Sequence, residues 1–139
     1  GQAAIILETI QDLTEQKAYP CPIKEKGGRI ILDSLALFAA AHQDWERHVA
    51  PGRISRRFHL GLGHGLRDWA LRARDRTGLN QVALSGGVFQ NQTLTQAVQT
   101  ELSSAGLTSL FHVHLPPNDA CISLGQAAYG RQHLLLHPR

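Results

Sequence analysis

The chain has 139 residues, 42% of them apolar and 18% charged, so it can bury a core and is not disordered by composition. Its formal net charge is +3, but Arg67, Arg72, Arg74 and Arg76 are interleaved with Asp68 and Asp75, the pattern of a solvated helix face rather than of a nucleic-acid surface. The two cysteines, Cys21 and Cys121, form no C-x-x-C pair and no apolar run reaches membrane-spanning length, which excludes a zinc ribbon or a bilayer-crossing helix and points to a reduced cytoplasmic setting.

Residues 2–16 carry Ala3, Ile6, Ile10 and Leu13 at three- and four-residue spacing and predict a first helix, stopped by Tyr19-Pro-Cys-Pro22. The abrupt opening Gly1-Gln-Ala-Ala-Ile-Ile-Leu7 and the absence of Met read as a piece of a longer protein. Residues 22–32 predict a hairpin that turns at Gly27-Gly28. Asp33 or Ser34 can cap a second helix through Leu37, Phe38, Ala41 and Trp45, which Pro51-Gly52 breaks.

A third helix is predicted from Ile54 to Arg76. Gly61, Gly63 and Gly65 inside it cost about 1 kcal/mol each relative to Ala, a cost that a close approach of another backbone would explain. They follow no strand and have the wrong spacing for a dinucleotide loop. Beyond Thr77-Gly78, Val82-Ala83-Leu84 predicts a strand, Ser85-Gly86-Gly87 a turn, and Leu94, Val98 and Leu102 a helix that ends at Gly106. Phe111, Val113 and Leu115 alternate as a second strand, which makes a strand–helix–strand unit with a right-handed crossover and a parallel pair. Pro116-Pro-Asn-Asp119 then turns the chain into a last helix with apolar Leu124, Ala127, Ala128 and Leu135.

The segment Leu84-Ser-Gly-Gly-Val-Phe-Gln-Asn91 is the candidate for chemistry. Glycines after a strand remove the Cβ atoms that keep a phosphate off the backbone, and N–H groups in the first turn of the next helix favour an anion. Asn91, one turn on, can hydrogen-bond a sugar or phosphate oxygen. The same Gly-Gly also serves as an ordinary tight turn. Ser85 lies in no Gly-x-Ser-x-Gly elbow and is not read as a nucleophile. Asp119 is either the N-cap of the last helix or a metal ligand beside phosphates. The pairs His112/His114 and His133/His137 lack a third ligand, and His59 reads as a structural residue rather than a base.

The string Ser85-Gly-Gly-Val-Phe-Gln-Asn91, followed by Pro116-Pro-Asn-Asp119 and Leu124-Gly-Gln-Ala127, resembles the C-terminal end of the hydrogenase maturation carbamoyltransferases. Gly1-Gln-Ala-Ala4, Glu8, Tyr19-Pro20 and Arg57-Phe58-His59 are similar to that family in the same order, so the resemblance spans nearly the whole chain. It implies an α/β lobe, the second of an actin-like, sugar-kinase-like (ribonuclease H-like) fold, with several helices on a small mixed sheet and a C-terminal helix returning towards the first lobe. Residues 1–139 would be that lobe alone, without the family's other domains.

In the family, carbamoyl phosphate and ATP give carbamoyl-adenylate, and the actin-like domain passes the carbamoyl group to the C-terminal Cys of a partner protein in nickel–iron hydrogenase assembly. By resemblance, Ser85, Gly86, Gly87 and Asn91 would hold the adenylate, Gly1 and Gln2 would lie near the nucleoside, and Asp119 would be one ligand of an iron or zinc ion shared with the missing lobe. No residue is assigned as catalytic, and the isolated chain is expected to be inactive. Ala120-Cys121 stands where the family usually has Gly-Gly, Ile6 where an acidic residue is common and Gln92 where Arg is common. A truncated nucleotide-binding module and a tRNA threonylcarbamoyl transferase relative are the alternative readings; Phe89-Gln90 and Pro116-Pro117 argue against the second.

Overall fold

The computed structural model describes residues 1–137; Pro138 and Arg139 lie outside the described residues. The long helix α3 (Pro51–Thr77) organises the chain. Pro51 does not break a helix but opens one, because the N–H that proline lacks is unsatisfied at a first helical position anyway. Gly78, at φ 74°, closes α3 by donating its N–H to the Arg74 carbonyl at 2.7 Å.

The α3 glycines are where the preceding segment lies down on the helix. A Cβ at Gly61 would run into the Tyr19 carbonyl, and one at Gly65 would sit 2.7 Å from Cys21 Sγ. Their absence lets the Tyr19 N–H reach the Arg57 carbonyl at 3.0 Å. Gly63 differs, since a Cβ there would meet Ala97 Cβ at an ordinary 3.6 Å.

The sheet is smaller and more divided than expected. Strands β1 (Ile23–Lys26) and β2 (Arg29–Leu32) form the predicted hairpin, with Ile23 opposite Leu32 and Gly27 and Gly28 both at positive φ. A separate parallel pair joins β3 (Gln81–Ala83) to β4 (Thr108–Leu110), with α4 (Gln92–Ser104) as the crossover. The small mixed sheet is therefore two two-stranded sheets among the described residues.

The second parallel strand lies at Thr108–Leu110, not at 111–115. Gly106 ends α4 at φ 73°, Leu107 enters the core, and the register begins at once with Gln81 opposite Thr108. Leu84 donates its N–H to the Leu110 carbonyl at 2.9 Å; beyond that β3 has given way to the glycine loop, and Phe111–Leu115 has no strand to pair with.

Helix α1 (Gln2–Thr9) is shorter than the 2–16 stretch its periodicity suggests. Asp12 turns the chain instead, accepting from the Thr14 N–H at 3.0 Å and hydroxyl at 2.6 Å while its own N–H donates to the Gly52 carbonyl. Helix α2 (Ser34–Glu46) starts after Asp33, whose carboxylate pairs with Lys24 at 2.5 Å.

One core cluster gathers Leu84, Leu94, Val98, Leu102 and Leu107, the α4 stripe expected from its spacing. A second gathers Tyr19, Cys21 and Leu37 against α3. Neither α1 nor α5 (Ile122–Leu136) contains a buried residue, so the apolar positions expected to pack the last helix are exposed. No described helix is long and apolar enough to cross a membrane.

Candidate nucleotide-binding loop

The loop leaves the C-terminal end of β3, the edge of a parallel sheet at which α/β folds place ligands. Gly86 takes φ 105° and ψ 157°, a conformation essentially reserved for glycine. Its N–H donates to the Pro117 carbonyl at 2.7 Å, which lays the Pro116–Asp119 segment beside the loop. A short 3-10 helix (Gly87–Gln90) follows. Gly87 needs no special φ, and a Cβ there would meet only Asn118 Cβ at 4.0 Å, so the protein's own packing leaves this face open. Ser85 Oγ and His112 Nε2 lie 2.8 Å apart, which ties the turn to the segment after β4.

The donors at this loop are not those expected from its sequence. Two donors in the first turn of α4 are already taken: Leu94 N–H donates to Asn91 Oδ1 at 2.8 Å and Thr93 N–H to Glu8 Oε1 at 3.2 Å. The N–H groups of Gly87 and Val88, one element earlier, make no hydrogen bond among the described residues. An anion in this cradle would meet the 3-10 helix, not α4. Asn91 is the N-cap of α4, and its Nδ2 lies 2.9 Å from Nε2 of the buried His59.

Asp119 is not a cap. The last helix follows Cys121 with no side-chain cap, and Asn118 caps the 3-10 turn (Asp119–Cys121) before it, its Oδ1 accepting from the Ala120 N–H at 3.1 Å, while the Asp119 side chain is exposed. Among the described residues no group of three or more His, Cys, Asp or Glu side chains can hold a metal. His133 and His137 stack at 4.5 Å, with the His137 N–H donating to the His133 carbonyl. Gly1 and Gln2 are exposed at the start of α1 and share no hydrogen bond with residues 85–91. The other end of α1 does reach the site, through Glu8 and through Leu7, whose carbonyl accepts from Ser55 Oγ.

Elsewhere on α3 lies an ion-pair network that the sequence does not disclose. Arg57 bridges Glu15 at 2.7 Å and Asp44 at 2.6 Å, Arg53 adds a second bond to Glu15 at 2.8 Å, and Tyr19 donates to Asp44 at 2.8 Å. The Lys17 N–H, with Arg53 and Arg57, holds the Glu15 carboxyl at about 2. Its members come from three distant parts of the chain, so no local spacing announces it. His59 left a fainter trace: it stands four residues after Ser55 and shares a helix face with it.

Fold and site together define an α/β subdomain whose glycine loop follows a parallel strand. Residues 1–126 match the family described as the carbamoyltransferase, Kae1-like domain, second subdomain, and the chain belongs to that family. Carbamoyltransferase HypF of Synechocystis sp. is 34% identical over 128 residues, which cover 91% of this chain and 16% of that protein. A HypF homolog of Cupriavidus necator is 34% identical over 134 residues, 91% of this chain and 34% of its own length. The chain thus spans no more than about a third of either relative. A crystal structure of full-length HypF in its phosphate- and nucleotide-bound form superposes with a TM-score of 0.88 at 33% identity, over 96% of this chain and 18% of that one. HypF of T. kodakarensis gives a TM-score of 0.74 at 25% identity, over 94% of this chain and 17% of that one.

Proposed function

We propose that this chain is one wall of the active site of an ATP-dependent carbamoyltransferase, and that Ser85–Asn91 holds the phosphate of a carbamoyl-adenylate. The observation that carries the reading is the Gly86-Gly87 cradle. Gly86 is required by its backbone conformation, but Gly87 leaves open space beside two N–H groups without acceptors. A relative solved with phosphate and nucleotide supports the same ligand class.

Each residue then has a definable task. Gly87 and Val88 N–H donate to phosphate oxygens, and Ser85 fixes the turn through His112. Asn91 keeps one amide N–H for the ligand after capping α4. Gly1 and Gln2, at the outer end of α1, would face the nucleoside once the other lobe is in place. The exposed carboxylate of Asp119, next to the cradle, suits one ligand of a divalent iron or zinc ion. Bound between lobes, such an ion would neutralise phosphate charge and polarise the carbamoyl carbonyl. The acceptor would be the C-terminal Cys of a hydrogenase maturation partner. The two free cysteines suit a cytoplasmic protein.

On this reading the chain alone is inactive, because it holds half of a cleft. Carbamoyl transfer should be undetectable with residues 1–139 and appear when the lobe present in its relatives is supplied. Turnover by the chain alone overturns the division of labour. A complete two-lobed domain that binds nucleotide but transfers nothing would instead favour a binding module, the reading that Ala120-Cys121 beside the cradle supports.

A further inference from the structure

We propose that His59 is a positioning residue that sets the orientation of the Asn91 amide at the nucleotide loop and ties that loop to α1. The inference rests on the reading of Ser85–Asn91 as the nucleotide site.

One group facing the Asn91 side chain can only be a donor. The Leu94 backbone N–H points at the Asn91 side chain at 2.8 Å, so the atom that meets it must be Oδ1. The flipped amide would set two donors against each other. Asn91 Nδ2 therefore faces His59 Nε2 at 2.9 Å, and Nε2 must accept. The imidazole proton then resides on Nδ1, 2.8 Å from the Ser55 carbonyl, which can only accept. Ser55 Oγ in turn donates to the Leu7 carbonyl of α1. Ser55 Oγ also lies 3.5 Å from Nδ1, but only one tautomer of His59 satisfies both the Asn91 amide and the Ser55 carbonyl.

The path is buried, His59 being 5% exposed and Ser55 1%. It joins three segments far apart in sequence: Leu7, Ser55 with His59, and Asn91. A second tie, Glu8 to the Thr93 N–H, runs between the same two helices. With Oδ1 held by Leu94 and one N–H by His59, the remaining Asn91 N–H has a fixed direction. Leu94 selects the flip but leaves the amide free to turn about that one bond; His59 supplies the second point that fixes its plane, and so acts on the ligand through Asn91 without touching it.

Nitrogen-15 NMR of the imidazoles in the 139-residue chain tests the tautomer directly. At neutral pH His59 should show a protonated Nδ1 and an unprotonated Nε2. An Nε2-protonated or cationic ring overturns the proposal whatever the binding data show. ATP titrations followed by amide shifts test the consequence. Asn91→Ala should weaken ATP about fivefold, the value of one positioned hydrogen bond, and His59→Leu should do the same. The double variant should be no weaker than either single one. His59→Gln, which restores an acceptor to Asn91, should bind within about twofold of the parent. If Asn91→Ala weakens ATP and His59→Leu does not, the positioning role fails and the loop assignment stands. Unchanged ATP binding in Asn91→Ala sinks the loop assignment itself.

Discussion

Single residues in α3 carry opposite requirements although they share one motif. Gly61 and Gly65 each admit a neighbouring segment, whereas a Cβ at Gly63 would make only ordinary contact with Ala97. Gly61→Ala should therefore destabilise the chain by about 2 kcal/mol through overpacking. Gly63→Ala should stabilise it by about 1 kcal/mol through helix propensity. Thermal or urea unfolding of the two variants checks both signs. Gly86→Ala should lose about 2 kcal/mol for another reason, the strain of a side chain at φ 105°.

Glu15 gives a residue-scale prediction in pH. Its folded pKa, about 2, lies below the ordinary value, so its stabilising contribution is present above that ordinary range. The contribution fades as pH falls from about 4.5 towards 2, where the folded carboxylate finally takes a proton. Melting temperatures of the parent should drop through that window. Glu15→Gln should start lower at neutral pH and lose less on acidification; equal slopes for the two proteins would remove Glu15 from the network.

At the scale of elements, α1 and α5 stand apart. Ile5 is 61% exposed, Tyr129 74% and Leu135 61%, and neither helix buries a residue. These are the surfaces that the rest of a two-lobed domain would cover. The isolated chain should bind an apolar dye or self-associate, and the supplied lobe should suppress that behaviour; a dye-free monomer would mark a self-contained domain. The α4 cap belongs to the same scale. Asn91→Ala should cost about 1 kcal/mol of stability, separable by unfolding from any effect on ligand binding.

For the whole molecule, membership of the carbamoyltransferase family is secure while the span is small, 16% of the Synechocystis protein. On the reading proposed above, the catalytic act would belong to an assembly to which this chain brings the Gly86-Gly87 cradle, the Asp119 carboxylate and two uncovered helices.

Local chemistry is enough for much of this. The hairpin at Gly27-Gly28, the α4 stripe of Leu94, Val98 and Leu102 and the strand–Gly-Gly turn all follow from periodicity and turn residues, because each acts within a few positions. Tertiary structure decides the rest. It ends α1 at Thr9, places β4 at Thr108–Leu110 instead of 111–115, leaves the last helix without a side-chain cap, and leaves the open N–H groups at Gly87 and Val88. The fate of a donor depends on which acceptor the fold brings to it. Glu8 reaches Thr93 across 85 positions of sequence, and His59 reaches Asn91 across 32, distances at which spacing carries no signal.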